Sequence, residues 1–131
     1  MGVTMGMNYG LNRLRKLGIR PKQIRITGGG AKSAVWRQIM ADVFGCEVIG
    51  MKTVEGAAYG AALQAWWCYE NARGNRVKIS DLTDRFVQTD SSTKASPRSK
   101  NTKLYASLQA IQDRAAKDMK EMFRLHRAMS A

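Results

Sequence analysis

Apolar residues recur along the first seventeen positions at steps of four and three: Val3, Met7, Leu11, Leu14 and Leu17, with Asn12, Arg13, Arg15 and Lys16 on other faces. That spacing predicts an amphipathic helix over 3–17, closed by Gly18 and Pro21. "QIRIT" then alternates, with Ile24 and Ile26 on one side and Arg25 opposite, as a short strand does. The strand runs into Gly28, Gly29 and Gly30. From Ser33, a predicted N-cap, Val35, Trp36, Ile39, Met40, Val43 and Phe44 fall on one helical face, with Arg37, Gln38 and Asp42 opposite and Gly45 as the stop.

"CEVIGM" predicts a second strand, and Thr53 is placed to cap the helix that follows it. In that helix, "EGAAYGAALQAWWCYE", apolar residues lie nearly all round, and Gly56 and Gly60 share a face that admits close backbone approach. The pattern predicts a buried helix, with Trp66 and Trp67 in a core or an interface. Residues 72–101 turn polar, with one short helical stretch, "SDLTDRFV", capped by Ser80; the rest reads as a surface excursion, partly mobile. Leu104, Leu108, Ile111, Ala115, Met119, Met122, Leu125 and Met129 then predict one long terminal helix over 102–129, its methionines used for packing. One strand-helix-strand unit is little sheet for a complete doubly wound domain, so residues 1–131 read as one α/β domain belonging to something larger.

Composition narrows the function classes. Apolar residues make up 44% and charged residues 24% of 131, the balance of a soluble globular chain. The longest stretch free of charge lies between Glu55 and Glu70, too short for a membrane span, and the N-terminus has no signal-peptide pattern; a cytoplasmic location is expected. Cys46 and Cys68 have no metal-ligand spacing and are expected as buried free thiols. His126, near the end of a basic helix, is expected at the surface, outside any triad or zinc pattern. The net charge of +12 is spread, 9 basic and 4 acidic residues in 1–70 against 13 and 6 in 71–131, so a solvated basic surface ranks ahead of a nucleic-acid partner. Some of that charge also helps attract phosphates at range.

The chemistry concentrates in "TGGGAKSAVWRQIMADVFG". A Walker A loop needs glycines where Ile26 and Ala31 stand, and a dinucleotide fingerprint needs glycine where Ser33 stands, so both phosphate-loop patterns fail on spacing. Two readings stay open: a ligand's flat face against side-chain-free backbone at a helix start, or a turn that needs glycine conformations.

"ITGGGAKSAVWRQIMADVFG" followed by "EGAAYGAAL" resembles the C-terminal domain of the FGGY carbohydrate kinases, and within that family the xylulose kinases. The resemblance implies a partial actin-like (ribonuclease H-like) ATPase fold, with the first stretch similar to the adenosine motif and the second to the second connecting helix near the hinge between lobes. By that similarity Gly29, Gly30 and Ala31 face the adenosine of ATP, with Gly28, Lys32 and Ala34 adjacent. Where related kinases often carry an Asn that reaches the base, Ala34 offers backbone and a methyl. The implied reaction is phosphoryl transfer from ATP, with Mg²⁺, to a ketose such as D-xylulose. The sugar site, the first phosphate loop and the catalytic aspartate belong to an N-terminal lobe not found in this sequence, and neither Asp42 nor Glu55 is placed to act as base. The fragment alone is thus expected to be inactive. Its expected partners are ATP or ADP, a sugar reached only through the other lobe, and a second copy in a possible homo-oligomer; the alternative is a non-catalytic, self-associating module.

Overall fold

A computed structural model describes residues 1–129. Their elements run α1 (Gly2–Lys16), β1 (Gln23–Ile26), a 3-10 turn (Gly29–Lys32), α2 (Ala34–Phe44), β2 (Glu47–Met51), α3 (Gly56–Ala72), α4 (Ile79–Phe86), β3 (Thr89–Ala95), α5 (Ser99–Asp118) and α6 (Lys120–Met129). The sheet order is β1-β2-β3. β1 and β2 pair in parallel, Ile24 opposite Val48, and β2 and β3 pair antiparallel, with an irregularity between Val48 and Gly50. There the Gly50 N–H donates to Thr93 Oγ1 at 2.8 Å, so a side chain supplies the acceptor that the ladder lacks.

α2 is the centre of the packing. Ser33 Oγ accepts from the Trp36 N–H at 3.2 Å, and Gly45, at φ 61°, closes the helix with its N–H on the Ala41 carbonyl at 2.9 Å. Both ends agree with the sequence reading because the signals are local. Met40, Ala41, Val43 and Phe44 join Met5, Cys46, Val48 and Ala95 in the core, with Ile24, Ile26, Tyr105 and Leu108 packed around them. Asp42, expected on a polar face, is instead 2% exposed. Its carboxylate accepts from the Arg98 N–H at 2.7 Å and from Asn101 Nδ2 at 2.8 Å, holding the first turn of α5 against α2.

Other expectations are corrected. Of the apolar stripe of α1 only Leu11 packs against the core: Val3 is 67% exposed, and Met7, Leu14 and Leu17 are also exposed, while Thr4, Met5 and Asn8 are buried. Polar partners set that orientation. Trp36 Nε1 donates to Thr4 Oγ1 at 2.9 Å, Asn8 Nδ2 donates to Gln109 Oε1 at 3.1 Å, and the Arg15 guanidinium donates to the Phe44 carbonyl. α3 is not a buried helix; among its residues only Leu63 is buried. Its N-cap is Glu55 rather than Thr53, and that of α4 is Lys78 rather than Ser80, neither with a side-chain capping bond. Trp66 lies edge-on to Phe86 at 5.4 Å, and Trp67 Nε1 donates to the Val77 carbonyl at 2.8 Å, so both indoles pack toward α4 and the segment leading into it.

The 72–101 stretch is more than an excursion, since Thr89–Ala95 forms β3. Glu47 on β2 accepts from Gln23 Nε2 on β1 at 2.6 Å and pairs with Lys94 on β3, tying the three strands at one end. The terminal helix begins at Ser99 and is interrupted at Met119, and Leu104 and Ile111 on its expected core face are exposed. Of the thiols, Cys46 is buried as expected, whereas Cys68 is exposed. Burial pushes the Cys46 thiol pKa up, against a smaller opposing pull from Arg15. His126 is exposed. Among the described residues no helix is long and apolar enough to cross a membrane.

Candidate functional site

The glycine run sits at the carboxyl end of β1, where open α/β sheets present their ligands. Gly28 has φ 84°, a conformation that side-chain-bearing residues rarely adopt, and its carbonyl accepts from the Ala31 N–H at 3.1 Å. The Gly30 carbonyl accepts from the Ser33 N–H at 3.3 Å, so the turn feeds directly into the capped start of α2.

Three groups clamp this turn. From one side, the Val54 carbonyl in the β2–α3 connection accepts from Thr27 Oγ1 at 2.6 Å and from the Gly28 N–H at 3.2 Å. Gly56, which follows, allows α3 to start here, because a Cβ at that position would lie 2.9 Å from Thr27 Oγ1. At Gly60, expected to share that role, a Cβ would meet nothing within 4 Å. From beneath, the Trp36 indole is so close that a Cβ on Gly30 would lie 2.2 Å from Cζ3. On the third side, Arg37 Nη1 donates to the Ala31 carbonyl at 2.6 Å. Asp90 on β3 carries a carboxyl held below its ordinary range by bonds from the Ser92 hydroxyl and N–H, with smaller contributions from the charges of Lys52 and Arg37.

The six residues expected at the site lie together, but the structure gives them different work. Gly29 is exposed and a Cβ there would meet nothing within 4 Å, so this glycine leaves space in front of the turn. Gly30 is glycine because Trp36 occupies the volume behind it. Ala31 is half-buried, and Lys32 and Ala34 are exposed beside it. Thr27, Arg37 and Val54 escaped the sequence reading. Trp36 and Arg37 were legible only as one apolar and one polar position on the face pattern of α2, since a hydrogen bond from a side chain back to the preceding turn leaves no periodic trace.

Two clefts flank the turn. One, of about 370 Å³, is lined by Ile26, Thr27, Met51, Gly56, Tyr59 and Phe86. The other, of about 350 Å³, is lined by Thr27, Ala31, Lys32, Arg37, Lys52 and Asp90 among others. Among the described residues no three His, Cys, Asp or Glu side chains come together as a metal site. The arrangement offers backbone, open space and cations, and no paired acid and base.

The FGGY family of carbohydrate kinases, C-terminal domain, matches residues 1–69. The xylulose kinase of Haemophilus influenzae is 40% identical over 102 residues, which cover 78% of this chain and 20% of that protein. That of Staphylococcus epidermidis is 27% identical over 121 residues, covering 92% of this chain and 23% of its own. The crystal structure of xylulose kinase from Rhodospirillum rubrum superposes with a TM-score of 0.71 at 25% identity, covering 93% of this chain and 24% of that one. The gluconate kinase structure from Lactobacillus acidophilus gives a TM-score of 0.63, also at 25% identity, over 77% of this chain and 19% of that one. The chain spans about a fifth of the length of the curated relatives it matches.

Proposed function

This chain belongs to the FGGY family of carbohydrate kinases, matching its C-terminal domain, and on that premise we propose that the turn Gly28–Lys32 is the wall against which the adenosine of ATP rests. The observation that carries this reading is the turn itself: it is clamped on three sides while Gly29 faces open space. A preorganised backbone with no side chain in front of it favours a flat ring at little ordering cost. Ala34, exposed at the start of α2, contributes a methyl at the rim.

The reaction that fits the family is transfer of the γ-phosphoryl group of ATP to a hydroxyl of a ketose, xylulose by the names of its relatives. Phosphoryl transfer requires a base at the nucleophile and Mg²⁺ at the phosphates. The described residues of this chain hold no cluster suited to that ion, so no step is assigned to it here. Asp42, the most buried carboxylate, is engaged by α5 and Gln38. Base, sugar site and metal are therefore assigned to the remaining four-fifths of a complete kinase, and the 131 residues alone are expected to turn over no substrate.

The test is a chimera in which this chain replaces the matched segment of the H. influenzae xylulose kinase. The chimera should phosphorylate D-xylulose, and Gly29→Leu should raise KM for ATP about tenfold with KM for the sugar unchanged. An unaltered KM for ATP would remove the turn from the nucleotide site.

A second reading has its own observation. The outward stripe of Val3, Met7, Leu14 and Leu17 and the exposed Met122, Phe123 and Leu125 favour self-association of the isolated chain. Self-association accounts for the apolar surface and leaves the clamped turn unexplained.

A further inference from the structure

We infer that Arg37 is a positioning residue for the nucleotide-facing turn and that β3 acts on the turn through it, from Asp90. The inference rests on the adenosine reading above and adds to it the device that holds the turn in shape. β3 is not a spacer between helices.

Arg37 lies one helical turn into α2 and reaches back to the Ala31 carbonyl at 2.6 Å, inside hydrogen-bond distance for a charged donor. That carbonyl belongs to the residue between Gly30 and Lys32, so fixing it orients the peptide planes that the glycines would otherwise leave free. A guanidinium has further donors in a rigid plane, and its orientation depends on what faces it. Asp90, its carboxylate bonded by the Ser92 N–H and hydroxyl, lines the same cleft as Ala31, Arg37 and Lys52 and brings a negative charge to it. The residue before β3 is tied to the residue after β2, the Lys52 N–H donating to the Gln88 carbonyl at 2.9 Å and Lys52 Nζ to Gln88 Oε1 at 2.9 Å, and within β3 Thr93 Oγ1 donates to the Asp90 carbonyl at 2.6 Å. Asp90 lies outside the 1–69 family match while Arg37 lies inside it, so the arrangement joins the matched region to the polar stretch that follows.

The experiment is amide hydrogen exchange and ADP titration on the full chain carrying Arg37→Met, Arg37→Lys, Asp90→Asn or both R37M and D90N. Exchange at Ala31 and Ser33, whose N–H groups close the turn, should accelerate about tenfold or more in R37M and less in R37K, with Val43 in the core unchanged. D90N should move the same two amides, and the double variant should be no worse than R37M, as expected of groups acting in series. Unchanged turn exchange in R37M, equal acceleration of core and turn, or additivity of the two substitutions would each overturn the inference. The ADP arm separates it from the nucleotide reading. If ADP perturbs Gly29 in the parent chain and its affinity falls about tenfold in R37M, both stand. If ADP perturbs nothing while the exchange pattern holds, the adenosine reading fails and Arg37 remains the anchor of the turn.

Discussion

Gly29 and Gly30 are neighbours of identical chemistry, and their substitutions should have opposite signs. Gly29→Ala places a methyl in open space at a backbone conformation alanine accepts, so unfolding free energy should rise by up to about 1 kcal/mol through the less flexible unfolded chain. Gly30→Ala drives a methyl into the Trp36 ring and should cost about 1–3 kcal/mol. Urea unfolding of both variants checks the pair, and equal effects would mean that the indole does not lie under the turn. The contrast also decides how the nucleotide reading is tested. A bulky residue at Gly30 would disturb Trp36 and its bond to Thr4 before any ligand arrived, whereas Gly29 changes only the open side. Three consecutive glycines made the candidate site legible in the sequence, but which glycine faces open space and which lies against a ring depends on Trp36, and no spacing rule reports that.

Among the elements, α2 was legible from cap to stop because its signals lie within consecutive residues. β3 was not, since "TDSSTKA" has no apolar alternation: it is an edge strand that buries Ala95 and otherwise holds on through Thr93 and Lys94. α1 was legible as a helix, but its orientation was not, because Thr4, Asn8 and Arg15 find polar partners inside while only Leu11 of the predicted apolar stripe reaches the core. Two predictions belong at this scale. Asp42→Ala should cost about 1.5–3 kcal/mol, because it removes the buried charged acceptor that the Arg98 N–H and Asn101 Nδ2 share at the start of α5. Thermal unfolding checks it, with Asp42→Asn losing less. Glu47 has its pKa lowered chiefly by its bond from Lys94, then by Gln23. A carboxylate with a depressed folded pKa adds stability above its unfolded value and loses it as pH falls through the folded one. Unfolding of Glu47→Gln should therefore come earlier than the parent's near neutral pH, and the two should converge in acid; a constant gap across that range would exclude the charge as the cause.

For the molecule as a whole, the core is a single layer of helices on a three-stranded sheet, and much apolar surface remains outside it. These residues fold around α2 and leave the outward residues of α1 exposed, and the chain spans about a fifth of its relatives' length. The isolated chain should accordingly show a concentration-dependent sedimentation coefficient, and Leu14→Glu with Met7→Lys should reduce it; an ideal monomer at every concentration would argue against the self-association reading.

The central claim, that the clamped turn is the nucleotide wall, is tested most directly by titrating ADP into the isotopically labelled 131-residue chain and following its amide resonances. The account predicts saturable shifts at Gly29, Gly30, Ala31 and Ser33, absent in Gly29→Leu, with Val48 in the sheet core unmoved. Saturable shifts centred elsewhere, or none at the turn at ADP concentrations that saturate any other site, would contradict it.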